Sequence, residues 1–362
     1  MAQTLTAQCL CKSHTFTTPL PPSPLQATAC HCTTCRHISG ALYRTSTPWP
    51  GPITTITSSS LSTYDISNKT TILFCNKCSS LIAYHIHPPS SPPTLLISTG
   101  ILNNVPHLEI TNHTHIADTL DGGATPWLFN IHTPTLWSGA PHTSEQLSSP
   151  PKRIPTETST AETPFHCHCK GVNLILKKGQ YTSPIPWFVE PTTHKLLAGF
   201  DACNSCRRSF SSADVTNWTF SLLKYISYAD GTPFPDNSIA LKKAVTEKTD
   251  PRLGTLAFYE SSDDVQRYFC SRCSACVFYA VDDRPEMVDV AIGLLDSPCG
   301  ARADSLLEWS FGTMIWSDDC KGGWREEFIE AYKRNTEAYR IENGIPKAWV
   351  RVAKEKKDAE GV

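Results

Sequence analysis

Sixteen cysteines in 362 residues are the side chains of this sequence best suited to chemistry, and most fall into short spacings that occur twice. The first half carries Cys9-Leu-Cys11, then Cys30-His31-Cys32-Thr-Thr-Cys35-Arg36, then Phe74-Cys75-Asn-Lys-Cys78. A CxxC turn aims two sulfurs at one point, and a CxC pair from a neighbouring stretch can add two more. Four thiolates at about 2.3 Å close a tetrahedral zinc site and leave no position for substrate. Cys9, Cys11, Cys75 and Cys78 therefore read as a structural zinc site that ties distant segments together and contributes folding free energy. The alternative is that they are only buried thiols.

The inner cluster, Cys30, Cys32 and Cys35, offers three sulfurs. Three protein ligands and one open position let zinc take part in a reaction. A thiol entering that position would lose its proton far below the free-thiol pKa of about 8.5. The alternative is a closed structural site completed by His31 or by a residue from elsewhere. His31 alternates with the ligands along an extended segment, so it is expected to orient or pack beside the site rather than ligate. Arg36 either offsets the negative charge of a thiolate-bound ion or lies solvated on the surface.

The second half repeats the order of elements: Cys167-His-Cys169, then Asp201-Ala-Cys203-Asn-Ser-Cys206-Arg207, then Phe269-Cys270-Ser-Arg-Cys273. Tyr64 precedes Phe74 by ten residues and Tyr259 precedes Phe269 by ten, and an apolar strand ending in a small turn follows each last pair, at 95–102 and 288–295. A tandem duplication explains this agreement. Cys167, Cys169, Cys270 and Cys273 reproduce the outer set. In the inner set Asp201 replaces the first cysteine. A carboxylate can bind zinc through oxygen, so Asp201, Cys203 and Cys206 hold either a weakened metal site or none. Cys276, Cys299 and Cys320 have no counterpart and are expected to be ordinary buried cysteines.

The elements that must position these residues read mainly as strands. Pro is frequent, at 28, and Ser/Thr-Pro clusters separate short apolar runs, which favours strands and turns over long helices. Segments 83–87, 216–223 and 275–281 are strand candidates. The expected organisation is a domain over 1–140, an extended Pro/Ser/Thr-rich linker over 141–164, and a second domain over 165–350. The second copy has a longer insertion between Cys206 and Cys270 than the first has between Cys35 and Cys75. It also ends in a short helix whose Trp324, Phe328, Ala331 and Tyr332 share one face. That face either docks on its own domain or receives a partner.

With 40% hydrophobic and 18% charged residues, each half can bury a core, and a net charge of −2 provides no field for nucleic acid or an anionic membrane. No apolar run is long enough to span a bilayer. The N-terminus lacks the basic region and apolar core of a secretory signal. A reducing, cytoplasmic setting is therefore expected, with thiolates that bind metal rather than form disulfides. The glycosylation sequons at Asn68, Asn112 and Asn217 are then chance matches.

These motifs resemble the family of glutathione-dependent formaldehyde-activating enzymes, which shares its domain with the centromere protein V group and has an Mss4-like zinc-binding β fold. The resemblance rests on CxC, CxCxxCR and FCxxC in that order, and on the trailing segment from His115 to Trp127. It covers most of both halves, and tandem copies of this kind are similar to those of fungi. It implies two tandem Mss4-like β domains. Cys9, Cys11, Cys75 and Cys78 would be structural zinc ligands, and Cys30, Cys32 and Cys35 would hold the catalytic zinc. In the second copy Cys167, Cys169, Cys270 and Cys273 match the structural set, while Cys203 and Cys206 match two of the catalytic three. Where the family usually has Gly after the last CxxC, Ser79 and Ser274 stand here, which touches only the local turn.

The implied activity is formation or cleavage of a carbon–sulfur bond on glutathione, as in condensation with formaldehyde to S-hydroxymethylglutathione. The partners are then small molecules: glutathione as co-substrate, plus an aldehyde or another electrophile. No glutathione-contacting residue and no oligomeric state is readable. Two other functions stay open: a non-enzymatic, zinc-stabilised protein-interaction module, and different chemistry on a glutathione adduct, such as isomerisation or a step of secondary metabolism. The second domain could also cover the first domain's pocket.

Overall fold

A computed structural model of the protein describes residues 4–103, 107–152 and 161–360. The chain opens with a hairpin of β1 (Thr4–Gln8) and β2 (Thr15–Pro19), whose connecting turn carries the CxC pair. β3 (Leu25–Cys30) alternates Leu25, Ala27 and Ala29 into the core, and ends at Cys30. Then come α1 (Thr33–Ser39), β4 (Arg44–Pro48), the single turn α2 (Thr54–Thr57), β5 (Ser62–Ser67), β6 (Thr70–Phe74), β7 (Leu81–Ile86) and β8 (Thr94–Ser98). β9 (Leu108–Thr114), α3 (Thr125–Leu128), β10 (Thr135–Trp137) and β11 (Gln146–Leu147) complete the first half. β3 to β11 form one nine-stranded sheet in the order β11-β10-β9-β3-β4-β8-β7-β6-β5.

The second half starts with β12 (Glu162–His166) and β13 (Asn173–Lys177), again a hairpin with a CxC turn. It continues with β14 (Leu196–Asp201), α4 (Asn204–Phe210), β15 (Thr216–Leu222), β16 (Ile226–Tyr228), α5 (Ser238–Glu247), β17 (Leu256–Ser262), β18 (Val265–Cys270), β19 (Cys276–Val281), β20 (Met287–Ala291) and β21 (Leu307–Trp309). Its sheet runs β17-β18-β19-β20-β15-β14-β21. Read backwards, this is the order β9-β3-β4-β8-β7-β6-β5 of the first sheet. The parallel pair falls in the same place in both, β3 with β9 and β14 with β21. The long insertion expected between Cys206 and Cys270 forms β16, which adds a third strand to the hairpin sheet, and α5.

Two expectations need adjusting. The segment 141–164 is not purely an extended linker: Gln146–Leu147 pair with β10, and β12 begins at Glu162, while 153–160 lie outside the described residues. The C-terminal helical part is also longer than a short helix. α6 (Trp324–Glu342) has 19 residues and α7 (Trp349–Glu360) has 12, because the apolar stripe runs on through Tyr339. Nor does α6 dock on its own half alone. Tyr332 packs edge-on against both Phe200 and Trp127, and the Asn335 side-chain amide donates to the Trp127 carbonyl at 2.9 Å.

The halves bury a shared interface whose contacts come in reciprocal pairs, as across a two-fold axis. Arg36 of α1 donates to the Gly293 carbonyl, 3.4 Å away, just after β20. Arg207 of α4 donates to the Leu102 carbonyl, 3.0 Å away, just after β8. Both are buried, so the arginine following each inner cluster is not solvated; it joins the halves. At the centre, Ser79 donates its hydroxyl to the Ser274 carbonyl. These serines take left-handed conformations, φ 63° and 66°, as each CxxC turn requires. That conformation costs about 1–2 kcal/mol for a residue with a Cβ. The Ser79 hydroxyl gains an inter-half hydrogen bond that glycine could not make.

Candidate metal centres

Hairpin turns and helix starts, both held by the sheets, bring the cysteines together. Cys9 and Cys11 in the β1–β2 turn meet Cys75 and Cys78 in the β6–β7 turn. Cys167 and Cys169 meet Cys270 and Cys273 in the same way. Within each foursome the sulfurs lie within 4.8 Å of one another, with Cys9–Cys11 and Cys169–Cys270 at 3.5 Å and Cys11–Cys75 at 3.6 Å. Tetrahedral ligands about 2.3 Å from zinc stand about 3.8 Å apart. The sulfurs are thus spaced for a shared ion and far too distant for disulfides, whose S–S length is about 2.05 Å. Backbone amides point at them: His14 N donates to Cys9 Sγ, Cys11 N to Cys78 Sγ, Val172 N to Cys167 Sγ and Cys273 N to Cys270 Sγ, all at 3.3–3.4 Å. Such donors favour thiolates and orient them. The two foursomes could each hold a metal ion, and their chemistry suits zinc.

Each inner cluster sits where a strand gives way to a helix. Cys30 ends β3, Cys32 caps α1 by accepting the Cys35 amide at 3.2 Å, and Cys35 lies in the first turn. The helix N-terminus favours thiolate there. Cys30 and Cys35 sulfurs are 3.5 Å apart. The donors gathered within 4.8 Å are these three and no fourth among the described residues. His31 does not close the site: its ring is fully buried and its Nε2 meets His113 Nδ1 at 2.8 Å, across to β9. It packs beside the cluster, as its alternation with the ligands implied. The second cluster has the same construction. Asp201 ends β14, Cys203 caps α4 through the Cys206 amide at 3.1 Å, and Asp201, Cys203 and Cys206 gather within 4.8 Å.

Two further residues belong to the first inner site and were not found by spacing. His115, in a left-handed conformation just after β9, places its Nδ1 3.6 Å from Cys30 Sγ. The hydrogen bond to Cys30 raises its pKa, and partial burial opposes this less strongly. Arg44, paired in register with Cys30 on β4, stacks its guanidinium 4.3 Å from the centre of the Tyr84 ring. Burial works against its charge, but Cys35 and Cys30 outweigh that and raise its pKa. Arg44 is therefore a counter-cation of the cluster, a role the sequence had offered to Arg36. For His115 the signal was its place at the head of the trailing segment; for Arg44 there was none.

Of the unmatched cysteines, Cys276 and Cys320 are buried as expected, and Cys299 is partly exposed. A cavity of about 210 Å³ lies beside β21 and the α6–α7 turn, lined by Trp309, Phe311 and Ile345 among others, and none of the clustered thiols lines it. No described helix is long and apolar enough to cross a membrane.

This is a mainly β protein with four thiol-rich clusters among the described residues that could hold metal, two in each half. A family model described as "Glutathione-dependent formaldehyde-activating enzyme" matches residues 4–118, and that part of the chain is similar to this family. No curated protein and no solved structure matches the chain.

Proposed function

We propose that the first half is a zinc-dependent enzyme that makes and breaks a carbon–sulfur bond on glutathione, in the manner of an S-(hydroxymethyl)glutathione synthase. The observation that carries this reading is the open three-thiol cluster of Cys30, Cys32 and Cys35, with His115 beside one edge, inside a domain of the matched family. The outer foursomes, Cys9, Cys11, Cys75 and Cys78 and their counterparts Cys167, Cys169, Cys270 and Cys273, would hold structural zinc. Free thiols throughout suit a reducing, cytoplasmic setting.

Cys30, Cys32 and Cys35 would hold the catalytic ion, which supplies a thiolate at neutral pH by lowering the pKa of a bound thiol. Helix α1 fixes Cys32 and Cys35 relative to each other, and β3 fixes Cys30. Arg44 offsets the excess negative charge of the donors from behind. In the synthetic direction the glutathione sulfur bonds to the aldehyde carbon and the carbonyl π bond opens. The proton given up by the thiol ends on the new hydroxyl oxygen. His115 is placed to carry that proton, since its ring nitrogen lies at the cluster and its pKa is held up there.

The test is two-dimensional exchange NMR of glutathione, formaldehyde and S-hydroxymethylglutathione, with fully zinc-loaded protein and with Cys32→Ser. Exchange faster than the uncatalysed background for the wild type, and not for the variant, is the expected result. No acceleration by the wild type removes formaldehyde as the substrate.

A further inference from the structure

Each inner cluster has one arginine against it, delivered from a different strand. In the first half Arg44 comes from β4 and stacks on Tyr84 of β7, while Ile72 of β6 stands opposite Tyr84 in the register. In the second half the residue matching Arg44 is Thr216, which pairs with Asp201 as Arg44 pairs with Cys30. The residue opposite Tyr279, the counterpart of Tyr84, is now Arg267. Its guanidinium lies 4.9 Å from the centre of the Tyr279 ring. Arginine and uncharged residue have changed places between two strands, and the charge has stayed beside the same tyrosine.

What Arg267 bonds to is informative. It is 7% exposed, and its Nη1 donates to Cys206 Sγ at 3.6 Å and to Ser209 Oγ at 3.5 Å, with Nε on Ser261 Oγ at 3.0 Å. The nearby carboxylate of Asp201, itself 4% exposed, instead accepts the Cys203 amide at 2.7 Å. A further buried carboxylate, Asp289 on β20, is paired with Arg284 at 3.0 Å. A buried guanidinium within reach of that sulfur and beside the Asp201 carboxylate is placed to balance the negative charge of donors that bind metal as anions. Three anionic donors around a divalent ion leave one net negative charge, which one guanidinium cancels. This balance is the same for Cys30, Cys32 and Cys35 with Arg44 as for Asp201, Cys203 and Cys206 with Arg267.

We infer that Asp201, Cys203 and Cys206 form a fourth metal site of this chain, with two sulfurs and one oxygen as donors and Arg267 as its buried counter-cation. The inference rests on the zinc reading of the thiol clusters given above. The carboxylate makes this site harder than the other three, so it releases zinc to a chelator first. Trp316, left-handed at φ 58° like His115 at φ 55°, occupies the His115 position but is largely exposed.

The experiment is metal analysis of the full chain, combined with 113Cd NMR after exchange of zinc for cadmium. Four metal equivalents and four cadmium resonances are expected. Asp201→Ala should remove one resonance and Cys32→Ser a different one, so failure here is distinguishable from failure of the catalytic reading. Arg267→Met should weaken the fourth site by about tenfold or more in chelator competition, as loss of an outer-shell partner does, and Arg267→Lys should restore part of it. Three equivalents in the wild type, or a full set of four resonances in Asp201→Ala, would overturn the inference. If Asp201→Ala does not fold, the wild-type count and the Arg267 pair decide.

Discussion

Tyr64 and His168 stand 104 residues apart in sequence, yet the Tyr64 hydroxyl lies 2.9 Å from His168 Nδ1, inside the CxC turn of the other half. Burial first, then the thiols Cys273 and Cys169, push the Tyr64 phenol pKa up; burial, Cys11 and Cys78 do the same to Tyr259. Each half thus sends its tyrosine to the outer thiol foursome of the other. Residues 1–140 produced alone should therefore aggregate or self-associate rather than remain a stable monomer. Light scattering and thermal melting, with zinc in excess, would check this, and a monomer melting like the whole chain would contradict it.

Glycine is required where the halves touch most closely. A Cβ on Gly293 would lie 2.2 Å from the Ala41 carbonyl oxygen, and one on Gly100 would lie 2.3 Å from that of Ser211. Both obstacles are backbone, which cannot rotate away. Gly293→Ala and Gly100→Ala should each cost about 3 kcal/mol, the upper end for overpacking, read by denaturant unfolding.

A buried ion pair, Asp214 with Arg325 at 2.9 Å, also joins the halves, because Thr99 Oγ1 donates to Asp214 and Arg325 donates to the Thr99 carbonyl. Each side chain of the pair is 1% exposed. Asp214→Ala should destabilise by about 3–5 kcal/mol by taking the carboxylate away from a buried cation. Replacing both residues with apolar ones of similar volume should recover much of that loss.

His37 and His166 face each other across the interface, Nδ1 to Nδ1 at 3.1 Å. Burial, with Arg36 adding to it, lowers the His37 pKa to about 3. Its unfolded value is about 6.5, so the unfolded chain takes up the proton first as pH falls. The contribution of a neutral His37 is complete above about pH 6.5 and is lost on descending toward pH 3, at up to about 1.4 kcal/mol per pH unit. Between pH 7 and 5.5, His37→Phe should show a shallower fall in stability than the wild type.

His115→Asn separates proton carriage from metal binding. Exchange between glutathione and its formaldehyde adduct should slow by about a hundredfold, the low end for general acid–base catalysis. Metal content should be unchanged. Loss of one equivalent of zinc would instead make His115 a ligand.

Spacing along the chain made the like order of elements in the two halves, the two outer foursomes and both inner clusters legible, because a CxC or CxxC turn is a local object. The mainly β character was legible for the same reason, through short apolar runs ending at turns. The roles of Arg36, Arg44 and Arg267 were not. Arg36 looked like a partner of the cysteines beside it, but helix α1 also turns it toward the Gly293 carbonyl of the other half. Arg44 meets Tyr84 only because β8 lies between β4 and β7 in the sheet, a pairing that no run of adjacent residues records. The reach of α6 to Trp127 was hidden likewise, since an apolar face does not name its partner.

The reciprocal contacts around Ser79 and Ser274 have a consequence for how such a molecule can change over generations. In an assembly of two identical subunits every substitution is inherited twice, so a loss at one reaction centre is a loss at both. Joining the copies in one reading frame removes that constraint. One copy can exchange a cysteine for Asp201 and a histidine for Trp316 while the other keeps Cys30 and His115, and the interface still needs both to persist.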